Sequence, residues 1–197
     1  KSLKKTVYPF KYGDYKEIEK IVKNKKIGVI KMEVSRLSLP NVSFLKKIRR
    51  LATKYKIILI FDECTSGFRQ NFGGLHMKYK IYPDIAMFGK ALGNGYAITS
   101  VIGRKAIMKS AESSFISSTF WTERLGFVAG LETLKIMEQK KSWNIIKNYG
   151  KYFNQKITNL ANKYELEIDI TGIESITSFN FLYEKNIAYK TFITQEM

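Results

Sequence analysis

The sequence predicts an α/β domain with a mostly parallel sheet, followed by the start of a smaller α+β domain. Short apolar runs, IGVIKME at 27–33, IILIF at 57–61 and IAMF at 85–88, are interspersed with amphipathic stretches, the pattern of alternating strands and helices. IILIF is apolar at every position, as strands of a parallel sheet covered on both faces are. After residue 140 the order changes, a long helical stretch being followed by a pair of strand-like runs.

Taken in order, YKEIEKIVKN at 15–24 reads as a short helix with Ile18, Ile21 and Val22 on one face. The strand at 27–33 follows. Phe44, Leu45, Ile48, Leu51, Ala52 and Tyr55 then repeat at helical spacing, and Pro40 and Asn41 mark the start of that helix. With IILIF they complete a strand–helix–strand unit. Pro83 and Asp84 lead into IAMF, which stops at Gly89-Lys90, and ITSVIGR at 98–104 reads as a fourth strand. Leu125, Val128, Ala129, Leu131, Leu134 and Met137 mark a helix over 123–140, and a second helix fills 143–163. ELEIDITG and SITSFNFL read as strands, and AYKTFITQEM begins a last helix. The expected division is therefore 1–140 for a large domain and 141–197 for a connecting helix and the beginning of a small C-terminal domain.

Composition excludes several classes. A chain of 197 residues with 45% hydrophobic and 14% aromatic content has the means to build a core. No apolar run approaches the roughly 20 residues of a membrane span, so no membrane partner is expected. The opening KSLKKTVYPFKYGDY is basic without an apolar segment after it, so a secretory signal is not expected, and the missing initiator Met reads as a cut end. One cysteine, Cys64, excludes an internal disulfide framework and favours a reducing, cytoplasmic compartment.

The net charge of +17 raises the question of nucleic acid. The excess is local, because residues 1–60 hold 17 Lys and Arg against four acids. Of the 34 basic residues 28 are Lys, whereas base readout and bidentate phosphate contacts lean on Arg. A Lys-rich solvated face is the expectation, with no nucleic-acid partner.

In an open parallel sheet, ligands bind beyond the carboxyl ends of the strands. That rule singles out Asp62 after IILIF and Lys90 after IAMFG. A partly desolvated lysine there can form a Schiff base with a carbonyl compound. A carboxylate opposite can hold a proton on a pyridine nitrogen. These are the two protein groups that a pyridoxal phosphate (PLP) enzyme requires.

ILIFDECTSGFRQNFGG followed by YPDIAMFGKALGNGYAITSVIGR closely resembles the heart of the class III aminotransferases, especially their glutamate-1-semialdehyde 2,1-aminomutase-like branch. The resemblance runs over most of residues 7–140. It implies a fold-type I transferase large domain, a three-layer α/β/α arrangement, with pyridoxal 5'-phosphate as cofactor. It also implies Asp62 as the pyridinium partner and Lys90 as the Schiff-base and acid–base lysine, 28 residues later. SSTFWTERLGFVAGLETL at 117–134 resembles the segment in which a Thr, here Thr119, binds the cofactor phosphate of the neighbouring subunit of a homodimer. Hydroxyl and backbone N–H groups at a helix start suit an anion.

Four positions depart from the pattern. Cys64 stands where many members pack a Val on the ring face, Thr65 where many have a Gln that reaches the ring hydroxyl, and Val34 where a Pro is common. Trp121-Thr122-Glu123-Arg124 replaces a proline-containing pattern. Arg69 is expected in a structural salt bridge in preference to a substrate carboxylate. His76, the only histidine, is expected in a loop without a metal cluster. Family members are longer at both ends, so the chain reads as an internal fragment, inactive by itself. Two reactions fit, transamination between a small-molecule amino donor and a keto or aldehyde substrate, or the intramolecular amino shift of an aminomutase. The competing reading is a non-catalytic basic module that binds nucleic acid, or an inactive PLP-fold fragment.

Overall fold

The computed structural model describes residues 6–35, 39–117, 119–120 and 123–197. The basic start at 1–5 and the Trp121-Thr122 departure lie outside them. Helix α1 (Tyr15–Asn24) begins where Asp14 accepts a hydrogen bond from the Glu17 N–H at 3.0 Å. It buries Ile18 and Val22. Strand β1 (Val29–Glu33) follows, and helix α2 (Val42–Lys54) is capped by Asn41, whose Oδ1 accepts from the Phe44 N–H at 3.0 Å. Next come β2 (Ile58–Asp62), a short helix α3 (Leu75–Lys78), β3 (Ile85–Phe88) and β4 (Ser100–Gly103).

The sheet order is β1-β2-β3-β4. The first three strands are parallel, with Glu33 beside Asp62 and Asp62 beside Met87, while β4 runs antiparallel to β3. Ile30 and Met32 of β1 and Leu59 and Phe61 of β2 are buried in one core with the apolar faces of α1 and α2. The alternate residues Lys31, Ile60 and Asp62 therefore share the opposite face. Buried Asp84 ties this frame together. It accepts from the Leu59 N–H at 2.9 Å, from Arg49 at 2.8 Å and from Arg104 at 3.1 Å.

Helix α4 (Lys105–Met108) precedes α5 (Arg124–Lys140) and α6 (Ser142–Lys163), which are joined through Lys141 in a left-handed conformation with φ 49°. Here the apolar pattern and the buried face part company. Gly126, Gly130 and Met137 of α5 are buried, while Leu125, Val128 and Leu131 of the expected stripe are 64%, 63% and 62% exposed. At the two glycines α5 lies against Tyr96 and Ile98, where added Cβ atoms would make ordinary contact with side-chain atoms at 3.4 and 3.5 Å.

Strands β5 (Ile168–Thr171) and β6 (Ser178–Phe181) form an antiparallel pair, and α7 (Asn186–Glu196) follows. The connection between β5 and β6 is not free. Its Ile173 is buried in the core of the first sheet, and its Glu174 accepts a hydrogen bond from Gln70.

Candidate active site

The site grows out of the end of β2. The apolar strand places Asp62 as its last residue, on the open face of the sheet and beside Glu33 of β1. Asp62 Oδ2 lies 3.0 Å from Lys31 Nζ, and Oδ1 accepts from the Cys64 N–H at 3.1 Å. Burial pushes this carboxyl upward, but the bonds from Lys31 and from Cys64 outweigh it and hold it below the usual aspartate value. The anionic form is favoured.

Cys64 is half-buried, and its thiol is pushed up by burial and by the neighbouring Asp62, against a smaller opposing effect of Lys90 and Lys31. This is an apolar packing group and not an activated nucleophile. A Cβ placed on Gly89 would sit 3.5 Å from Cys64 Sγ and 3.4 Å from Thr99 Cγ2, so the turn after β2 packs on the backbone that leads into Lys90.

Lys90 opens a single 3-10 turn, Lys90–Leu92, directly after β3 and Gly89. Its φ of 44° is in the left-handed region, which costs a residue with a side chain about 1 kcal/mol or more. The conformation is held because Lys90 O accepts from the Gly93 and Asn94 N–H groups at 3.2 and 3.0 Å, and because Leu92 is buried against the Phe68–Phe88 cluster. Lys90 Nζ donates to Thr65 Oγ1 at 2.7 Å. The amine is thus held by a neutral hydroxyl, not by a carboxylate.

Asp62, Cys64, Thr65 and Lys90 therefore meet on one edge. Thr119 is exposed in the turn ahead of α5 and makes no hydrogen bond to the other four among the described residues. Two expectations are corrected. Arg69 forms no ion pair among the described residues, and its Nε is buried without a partner. His76 is not a loop residue. It lies buried in α3, with its N–H and its Nδ1 each 2.8 Å from Oε1 of Glu63.

Glu63 itself is fully buried and also accepts from the Ser66 hydroxyl. The two adjacent carboxylates thus divide their work. Asp62 faces the open edge, while Glu63 clamps the turn and the start of α3 from inside. A hydrophobic run ending in two acids shows that a boundary is near, but not which acid turns inward. Lys31 was missed as well, because a lysine inside a strand looks like any other in so Lys-rich a chain.

Residues 37–196 match the family model for aminotransferase class-III. The 3-aminobutyryl-CoA aminotransferase of Cloacimonas acidaminovorans is 29% identical over 198 residues, covering 96% of this chain and 48% of that protein. The glutamate-1-semialdehyde 2,1-aminomutase of Sulfurisphaera tokodaii is 31% identical over 185 residues, covering 90% of this chain and 44% of that one. Among solved structures, the FumI protein of Sphingopyxis sp. MTA144, in its PLP internal aldimine form, superposes with a TM-score of 0.84 at 21% identity. That superposition covers 89% of this chain and 44% of FumI, and it carries the fold. The chain spans about half the length of the curated relatives it matches. None of these relatives supports a basic nucleic-acid module. With 160 of its residues inside the family model, the chain belongs to the class-III aminotransferases.

Proposed function

We propose that the chain carries the lysine-bearing part of a PLP-dependent amino-group transfer site, for transamination or for an aminomutase-type amino shift. The observation that carries this reading is the placing of an anionic carboxylate and a lysine amine at the carboxyl ends of neighbouring parallel strands β2 and β3. The residues present fit the cofactor. Asp62 already holds a cation at 3.0 Å, as it would hold a protonated ring nitrogen, and Lys90 presents an amine on a hydroxyl within the same cluster. PLP, when bound, supplies an electron sink for negative charge at a substrate carbon.

In this reading Lys90 Nζ would hold the cofactor's aldehyde group and, as a free amine, would accept and return a proton at Nζ. Asp62 would keep the ring nitrogen protonated, Cys64 would pack against the ring, and Thr65 would hold the Lys90 amine when it is free. The substrate side is a small-molecule amino donor with a keto or aldehyde partner, after the names of the relatives. Residues 1–140 serve as the centre of the large domain and 141–197 as the connecting helix and start of the small one. A two-fold homodimer, with Thr119 on the partner's cofactor phosphate, is supported by the exposed apolar face of α5. The lone cysteine supports a cytoplasmic setting.

The test is to incubate with PLP, reduce with borohydride and map the modified lysine among the 28 present. Label concentrated on Lys90, and abolished in Lys90→Ala or Asp62→Ala, is the expected result. Label scattered over surface lysines, in a protein extended to the length of the relatives, sinks the assignment. Amino-donor dependence separates the two reactions, since only the transaminase needs an external donor.

A further inference from the structure

Asp62 does not wait empty for a partner. Its register neighbour on β1 is Glu33, the last residue of that strand. The cation that Asp62 holds comes from the same strand, from Lys31. Two residues before Glu33, and level with Ile60, it shares the face of Asp62, and its ammonium reaches Oδ2 at 3.0 Å. The other oxygen, Oδ1, is taken by the Cys64 N–H, which fixes the carboxylate plane. The two lysines of the edge are thereby sorted, Lys31 on the carboxylate and Lys90 on the Thr65 hydroxyl.

We propose that Lys31 is a built-in occupant of Asp62, holding in the cofactor-free chain the carboxylate oxygen that a protonated pyridine nitrogen needs, so that cofactor capture is an exchange of one cation for another. The proposal rests on the PLP reading above. Exchange is feasible because the Lys31 side chain is 54% exposed and has water to retreat into, whereas that of Asp62 is 21% exposed and stays fixed. The strength of such a pair is small, since exposed ion pairs are worth at most about 1 kcal/mol, or about fivefold in an equilibrium constant. Lys31 therefore keeps Asp62 ionised and oriented without blocking the site.

Two measurements test it on the full chain. Titration with PLP, followed by absorbance, should give a lower dissociation constant for Lys31→Met than for the wild type, by up to about fivefold. In the wild type, acetylation of Lys31, read by peptide mass spectrometry, should rise once PLP has been fixed on Lys90 with borohydride. An affinity that is unchanged or weaker in Lys31→Met, or Lys31 acetylation that does not rise, overturns the proposal. These failures are distinct from failure of the PLP reading, which would show earlier as borohydride label missing from Lys90 in the wild type.

Discussion

At the scale of single residues, the candidate site is a sorting of charges, and the sorting can be probed one group at a time. Thr65 is the only hydroxyl bonded to the Lys90 ammonium among the described residues. We expect Thr65→Val to leave the fold intact and to slow borohydride trapping of PLP at Lys90 by about fivefold, which corresponds to roughly 1 kcal/mol for an exposed bond to a charged donor. Thr65→Ser should restore the rate. Asp84 gives the opposite kind of prediction, because it is buried and acts on stability. Burial pushes its carboxyl up, but the Leu59 N–H and the guanidinium groups of Arg49 and Arg104 outweigh that and hold it below the usual aspartate value. A depressed folded value means that this stabilisation is complete above the ordinary aspartate pKa of about 3.9 and is lost as pH falls through the lower folded value. Asp84→Ala leaves Arg49 and a buried N–H unsatisfied and should cost about 3 kcal/mol at neutral pH. The gap between variant and wild type in urea midpoint should narrow as pH falls below about 3.9, and a gap that stays constant with pH would contradict this account of Asp84.

At the scale of elements, close approach decides more than propensity. A Cβ on Gly150 of α6 would lie 1.6 Å from the carbonyl oxygen of Glu174, so the helix and the β5–β6 connection touch backbone to backbone. Gly150→Ala must push that connection away and should destabilise the chain by about 2 kcal/mol in urea unfolding. Gly28→Ala, where nothing lies within 4 Å, is the matched control and should change little. The elements themselves were largely legible, because the apolar periods of α1, α2 and the strands reflect burial in one core, and the Asn41 start signal is a real cap. Less legible was anything set by partners distant in sequence. The stripe on α5 is helical as its spacing predicts, yet its buried residues are Gly126, Gly130 and Met137, because the face that lies on Tyr96 and Ile98 is set by partners distant in sequence. Likewise α3 is a single turn held by the Glu63 carboxylate, and four residues leave no periodicity to detect. The positions of Asp62 and Lys90 just at or beyond strand ends were legible because strand ends announce themselves. The Lys31 contact was not, since it depends on strand register.

At the scale of the whole molecule, α5 exposes an apolar face of Leu125, Val128 and Leu131. If it is the two-fold interface, Leu131→Glu should shift sedimentation equilibrium from dimer to monomer while the circular dichroism of the chain is unchanged. A wild type that sediments as a monomer at every concentration would exclude the homodimer. The placing of Ile173 has a consequence of a different kind. The tip of the β5–β6 connection is buried with Leu75 and the first helices, and Glu174 is hydrogen-bonded to Gln70. Meanwhile the α5–α6 junction presents Lys140 and Lys141 to solvent, the setting in which trypsin cuts. A chain nicked there should therefore run as two bands under denaturing conditions yet elute as one species in native buffer, its halves held together by a contact made far from the cut.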